Sequence, residues 1–128
     1  MQYRYYISNK WPKDLIVKAF DAFEFGAKFY KLKGVTTVKF INQDCNDATS
    51  EKIKNSRFEI RLNLAKVSDE NHLLKCIFHE LTHLKQFQQD GLDAKLISKS
   101  LEEYLLSKWE IEARGMEDAL VYLFNKAN

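Results

Sequence analysis

A change of periodicity between residues 57 and 91 is the feature that most constrains the fold. From Arg57 to Leu64 the sequence RFEIRLNL alternates apolar and polar side chains, the pattern of a strand with one buried face. From Ser68 to Gly91 the apolar residues recur every three or four positions, which predicts a long helix between a capping serine and a terminating glycine. A strand followed closely by a strong helix favours an α+β fold.

Weaker patterns on either side extend this prediction. We expect a small sheet, mostly antiparallel or mixed, packed with an N-terminal helix and with the helix that begins near Ser68. A final helix should complete the domain. The predicted elements are a strand at Tyr3–Ile7, a helix after Pro12, a strand at Val35–Ile41, a long loop or excursion between strands over residues 42–56, and a helix over Lys108–Asn125.

Length and charge bound the class of protein. The chain has 128 residues, one proline and four glycines, so we expect a single domain spanning residues 1–128. The net charge is +2 and no run of five or more like charges occurs, so neither nucleic acid nor a membrane is an expected partner. The lack of a signal peptide and of a long apolar run predicts a soluble, cytoplasmic protein, and the two cysteines, 31 positions apart, should be reduced.

The sequence FHELTH, within the strongest predicted helix, contains the pattern H-E-x-x-H. Residues four apart lie one turn from each other, so His79 and His83 can direct both imidazoles at one metal ion. With about 100° per residue, both face away from the apolar stripe of Leu74, Ile77, Leu81 and Leu84. Glu80 falls to one side, where it would meet a water molecule beside the ion. The spacing therefore predicts a catalytic zinc site instead of a chance match on an exposed helix.

Two other residues of this helix have simpler interpretations. His72 lies seven positions before His79, about 10 Å along the helix axis, which is too far to bind the same ion. We assign it to hydrogen bonding at the helix end. Cys76 is on the ligand side but is better explained as a small core residue under the strands.

The third ligand must come from elsewhere, because no histidine follows His83. A glutamate on the last helix is the expected ligand, and Glu110 and Glu112 are the leading candidates. Glu112 shares a helix face with apolar residues and Glu110 with polar ones, so helical phase leaves both open. The weaker candidates are Glu102, Glu103 and Glu117.

The segment from Arg57 to Glu117 resembles the gluzincin side of the zincin metallopeptidases, including small metallopeptidases of phages and bacteria. In that family H-E-x-x-H is followed some 25 to 30 residues later by E-x-E-A, whose first glutamate binds zinc; here the motif makes Glu110 the ligand, ahead of Glu112. Small relatives also carry a tyrosine six residues earlier, here Tyr104. The chain departs from the pattern at Arg114, where many relatives have an Asp or Asn that braces a ligand histidine.

The resemblance implies a minimal zincin-like fold and a peptidase with one Zn²⁺ per chain, and it is compatible with a phage-encoded origin. Glu80 would act as general base, and Tyr104, or else Tyr122 or Arg114, would donate a hydrogen bond to the oxyanion. An extended peptide or protein substrate would bind along the strand Phe58–Leu64.

The alternative is a non-catalytic, zinc-containing module that uses this fold to bind a protein or nucleic acid. Glu80 distinguishes the two hypotheses. A structural zinc site is normally closed by a fourth protein ligand and has no use for a free carboxylate beside it. The presence of Glu80 therefore favours the enzyme.

Overall fold

The computed structural model describes residues 1–43, 47–92 and 107–128. These ranges contain four strands and three helices. In chain order they are β1 (Gln2–Ile7), α1 (Lys13–Tyr30), β2 (Val35–Ile41), β3 (Ala48–Lys54), β4 (Arg57–Asn63), α2 (Glu70–Lys85) and α3 (Lys108–Ala127). A short 3-10 turn (Leu64–Lys66) precedes α2, and a π-helical segment (Gln86–Asp90) follows it.

The four strands form one mixed sheet in the order β1-β2-β4-β3. β1, β2 and β4 run parallel, and β3 pairs antiparallel with β4. The parallel β1–β2 pair is connected through α1, as parallel neighbours require a crossover. The prediction of an α+β fold is confirmed, and of the two expected kinds of sheet the mixed one is found, with two of the three strand pairings parallel.

Strand β3 occupies the segment for which the sequence predicted a long loop or an excursion between strands. Its residues ATSEKIK alternate only between intermediate and exposed positions, and none is fully buried. An edge strand has one unpaired side and tolerates lysine and other polar residues, so it lacks the apolar alternation that marks a strand in sequence. A two-residue turn joins β3 to β4, with Ser56 at a positive φ of 61°.

Strand β4 is an interior strand, and this corrects the prediction that a substrate binds along Phe58–Leu64. β4 pairs with β2 on one side and with β3 on the other, so its backbone hydrogen-bonding groups are already used. Among the described strands, β3 and β1 form the edges of the sheet. Of these two edge strands, only β3 packs against α2.

Helix α2 lies at the centre of the domain, in contact with α1, α3, β3 and β4. Its N-cap is Asp69, one residue beyond the predicted Ser68, and Gly91, at a positive φ of 79°, ends the π-helical segment. α1 approaches closely at Gly26, where an added Cβ would lie 2.3 Å from Leu81 Cδ1. Within the described ranges no helix is both long and apolar enough to cross a membrane.

The core is formed by the inner face of the sheet, the inner faces of α1 and α3, and most of α2. Its largest fully buried side chains are Phe23, Phe40, Phe78, Phe124, Ile60, Leu62, Leu73, Leu74, Ile77, Leu81, Leu84 and Leu120. The burial of residues from all three helices and from the sheet in one cluster holds α2 and α3 in a defined register.

Candidate metal site

Three side chains converge between α2 and α3 to form a group that can hold a metal ion: His79, His83 and Glu110. The Nε2 atoms of the two histidines are 3.2 Å apart. Oε1 of Glu110 lies 3.1 Å from His79 Nε2, and Oε2 lies 3.1 Å from His83 Nε2. Two imidazole nitrogens and the two oxygens of one carboxylate, from two helices, therefore lie close enough together to hold one ion.

Local sequence explains how each helix presents its ligands. The two histidines are one turn apart on α2, which the core holds on several sides. Glu110 lies in the first turn of α3, where the Ser107 hydroxyl accepts a hydrogen bond from the Glu110 amide at 3.3 Å and caps the helix. In a capping box the glutamate at this position would turn back to the cap. Here its carboxylate instead points at the histidines.

His83 is oriented by Gln86, a fully buried side chain in the π-helical segment. His83 Nδ1 donates to Gln86 Oε1 at 2.7 Å, while Gln86 Nε2 donates to the Trp109 carbonyl at 2.8 Å and to Glu112 Oε1 at 2.9 Å. The amide is thereby held in the orientation that keeps the proton of His83 on Nδ1. Its Nε2 lone pair remains available to a metal ion, as a ligand histidine requires.

His79 is oriented by Glu117, two helical turns after Glu110 on α3. Its Nδ1 donates to Glu117 Oε1 at 2.8 Å. Family resemblance places such a brace four residues after the ligand glutamate, at Arg114, which cannot accept a hydrogen bond. Sequence reasoning ranked Glu117 only as a weak ligand candidate. The available signal was the seven-residue spacing from Glu110, which puts both carboxylates on one helix face.

The carboxylates around His79 favour its protonated form. Burial opposes the charge on the imidazolium, but the hydrogen bond to Glu110, the nearby Glu80 and the bond to Glu117 outweigh it and raise the pKa of His79 to about 9. Without a metal ion, a proton on His79 therefore balances the carboxylates. A cation bound by these residues would take over that role, and the proton would be released.

Glu80 stands beside this group without belonging to it. The residue is 5% exposed, and burial raises the pKa of its carboxyl group despite the nearby histidines and a hydrogen bond with Ser50 of β3. A carboxylate with a raised pKa accepts a proton more readily near neutral pH. The unpredicted strand β3 thus supplies the hydrogen-bonding partner of the predicted general base.

The structure distinguishes the two leading candidates for the third ligand. Glu110 joins the histidines, whereas the Glu112 carboxylate contacts Gln86 Nε2 and, at 3.2 Å and 3.3 Å, Lys85 Nζ. Glu112 therefore supports Gln86, which in turn orients His83. The contacts with Lys85 and Gln86 explain why a charged residue occupies position 112, although helical phase places it on the same face as apolar residues.

The other predicted residues fall into three groups. Tyr104, Glu102 and Glu103 lie outside the described residues. Tyr122 is 64% exposed, and Arg114 is on an exposed part of α3. His72 and Cys76 lie on α2, outside the group of His79, His83 and Glu110, and contact Asp47.

Comparisons with known proteins identified no relative of this chain. No family model, no curated protein and no solved structure was found to match this chain. The resemblance to gluzincins therefore depends on the motifs alone, and the geometry of the described residues carries the functional argument.

The contact between Glu117 and His79 leads to a prediction for metal affinity. Glu117→Gln should lower the affinity for Zn²⁺ by about 10- to 100-fold, because a neutral amide orients His79 less strongly and lowers its basicity. Competition with a chromophoric chelator measures the affinity. Asp118→Asn is the matched control, because the Asp118 side chain is 86% exposed and pairs with Lys75. Equal affinities in the two variants would contradict a role for Glu117 at the site.

Proposed function

We propose that this protein is a zinc-dependent peptidase with His79, His83 and Glu110 as metal ligands and Glu80 as general base. The observation that carries the proposal is the buried Glu80 carboxylate, which lies beside three ligand groups and is not one of them. A set of three protein ligands with a separate carboxylate is the arrangement of catalytic, not structural, zinc sites. The resemblance of H-E-x-x-H and E-x-E-A to gluzincins supports the same function.

The distances support zinc as the ion. With bonds near 2.0 Å to nitrogen and oxygen, two ligand atoms of a tetrahedral zinc site lie about 3.3 Å apart. The Nε2 atoms of His79 and His83 are 3.2 Å apart, close to this value, and each lies 3.1 Å from a different oxygen of the Glu110 carboxylate. Two imidazoles and one carboxylate are also a common zinc ligand set in hydrolases. Bound Zn²⁺ would supply Lewis acidity, polarising a substrate carbonyl and increasing the acidity of water.

The chain's own residues then perform the proton transfers. Glu80 removes a proton from the attacking water and donates it to the leaving nitrogen, a role that its raised pKa favours. The Ser50 hydroxyl, hydrogen-bonded to Glu80, holds the carboxylate in place. Gln86 and Glu117 keep the histidines oriented during this exchange.

For the substrate we propose an extended peptide that pairs with β3 instead of β4. β3 is an edge strand, it borders α2, and Ser50 in its middle contacts the general base. A peptide added to this edge by backbone hydrogen bonding would run past Glu80. The exposed side chains of β3 are mixed in character, which favours recognition of backbone over sequence.

The test is cleavage of an unfolded protein or a mixed peptide library, followed by mass spectrometry. Zinc-loaded protein should produce new peptide termini, chelation should abolish them, and added Zn²⁺ should restore them. Metal analysis of the same sample must show bound zinc. A zinc-loaded protein that cleaves nothing across a broad library would overturn the proposal and support a binding module.

A further inference from the structure

A second group of metal-binding side chains lies on the preceding turns of α2. It consists of His72 and Cys76, four residues apart on the helix, and of Asp47, immediately before β3. Asp47 Oδ2 is 3.1 Å from His72 Nε2 and 3.6 Å from Cys76 Sγ. The group shares no residue with the first one.

Two of the three separations between these ligand atoms match those expected in a tetrahedral zinc site. Zinc bonds are near 2.0 Å to nitrogen and oxygen and near 2.3 Å to sulfur, so a nitrogen and an oxygen ligand lie about 3.3 Å apart, and a sulfur and an oxygen ligand about 3.5 Å apart. Both observed values are within about 0.2 Å of these lengths. Thiolate, imidazole and carboxylate are also the three side-chain types that zinc prefers.

From this geometry we propose that Asp47, His72 and Cys76 form a second zinc site, with its fourth position open to solvent. The side chains of Asp47 and His72 are 47% and 30% exposed, so an ion can enter from solution. Cys76 is buried and closes the site on the side of the core. The proposal does not depend on the peptidase function.

This second site should bind zinc more weakly than the first. His72 Nδ1 accepts a hydrogen bond from the Ser68 amide at 3.1 Å, which leaves the proton of the neutral ring on Nε2, facing Asp47. Binding through Nε2 requires that proton to move to Nδ1. There the Ser68 hydroxyl, 3.2 Å away, can accept it, while the bond from the amide is lost. At the first site both Nδ1 atoms already donate to acceptors.

An ion at this position would fasten β3 to α2. Asp47 Oδ1 accepts from the Ala48 amide at 2.8 Å, and its backbone carbonyl accepts from the Asn63 amide at 2.9 Å. Asp47 is thus held against both β3 and the end of β4. A zinc ion that links its carboxylate to α2 would stabilise the position of the edge strand.

Cobalt substitution tests the proposal, because only a cysteine ligand produces a thiolate-to-cobalt charge-transfer band in the near ultraviolet. Metal-free protein of residues 1–128, titrated with Co²⁺, should bind two equivalents, and the band should develop with the second. Cys76→Ser should lose the band and one equivalent, and His72→Gln, altered at a part-exposed position, should do the same. Circular dichroism checks that each variant folds.

Matched variants separate this site from the first. Cys45→Ser, which removes the other cysteine of the chain, should keep the band and both equivalents. Glu110→Gln should weaken the first equivalent but keep the band. A single equivalent without the band would overturn the second site alone, and so would a band lost in Cys45→Ser but kept in Cys76→Ser. A single equivalent with the band would support the second site and contradict the proposed catalytic one.

Discussion

Glu80→Gln should lower peptide hydrolysis by about 10²- to 10⁴-fold, the usual loss on removing a general base, while zinc content stays nearly unchanged. The carboxamide has almost the same volume as the buried carboxylate and can still accept the hydrogen bond from Ser50. It cannot take a proton from water. Cleavage of a peptide library is followed by mass spectrometry, and zinc content is measured on the same samples.

Glu70→Gln is the matched control for this experiment. Glu70 is also a glutamate of α2, but it lies exposed in the first turn of the helix, far in sequence from the motif. Its variant should retain full activity. If Glu80→Gln cleaved as fast as the control, Glu80 would not be the base. If it lost its zinc, the carboxylate would be needed to hold the metal and not to transfer a proton.

Glu110→Gln should weaken zinc binding by more than about 100-fold, whereas Glu112→Gln should weaken it by no more than about 10- to 100-fold. The first change removes a charged ligand from the centre of the site. The second change acts indirectly, because Glu112 contacts Gln86, and Gln86 in turn orients His83. A chelator competition that compares both variants with the unchanged protein measures the two affinities.

These two glutamates are themselves a matched pair, since they are two residues apart on one helix and the substitutions are identical. The reverse order of effects would show that Glu112 binds the metal and that α3 is rotated from the position described. Equal and small effects would remove the carboxylate ligand from the proposal. Circular dichroism excludes unfolding as the cause in either variant.

The sequence was sufficient to predict that His79 and His83 lie side by side and that Glu80 lies close to them, because their relative positions depend only on the geometry of one helix. Four residues of α-helix place two side chains on one face wherever the helix packs. The choice between Glu110 and Glu112 was different. Helical phase left both open, and only the motif resemblance favoured Glu110; the contact with the histidines depends on how α3 is rotated against α2.

The group that orients His79 could not be predicted from local pattern. Gln86 lies only three residues after His83, at the start of the π-helical segment, whereas Glu117 contacts His79 from another helix. Sequence separation between Glu117 and His79 is 38 residues, and nothing in either segment alone indicates the pairing. Long-range contacts of this kind arise from the packing of whole elements, in which core residues, not the polar groups themselves, determine the register.

By itself, the sequence determined the α+β class, the long central helix and the H-E-x-x-H spacing, since each follows from a periodicity within one segment. The tertiary structure alone decided that residues 48–54 form an edge strand, that β4 is interior, and that Asp47 meets His72 and Cys76. The sequence ATSEKIK of β3 is mostly polar, as an edge strand tolerates, and leaves little periodic signal. Strand order and contacts between segments depend on which apolar faces pack together, and this information belongs to the chain as a whole.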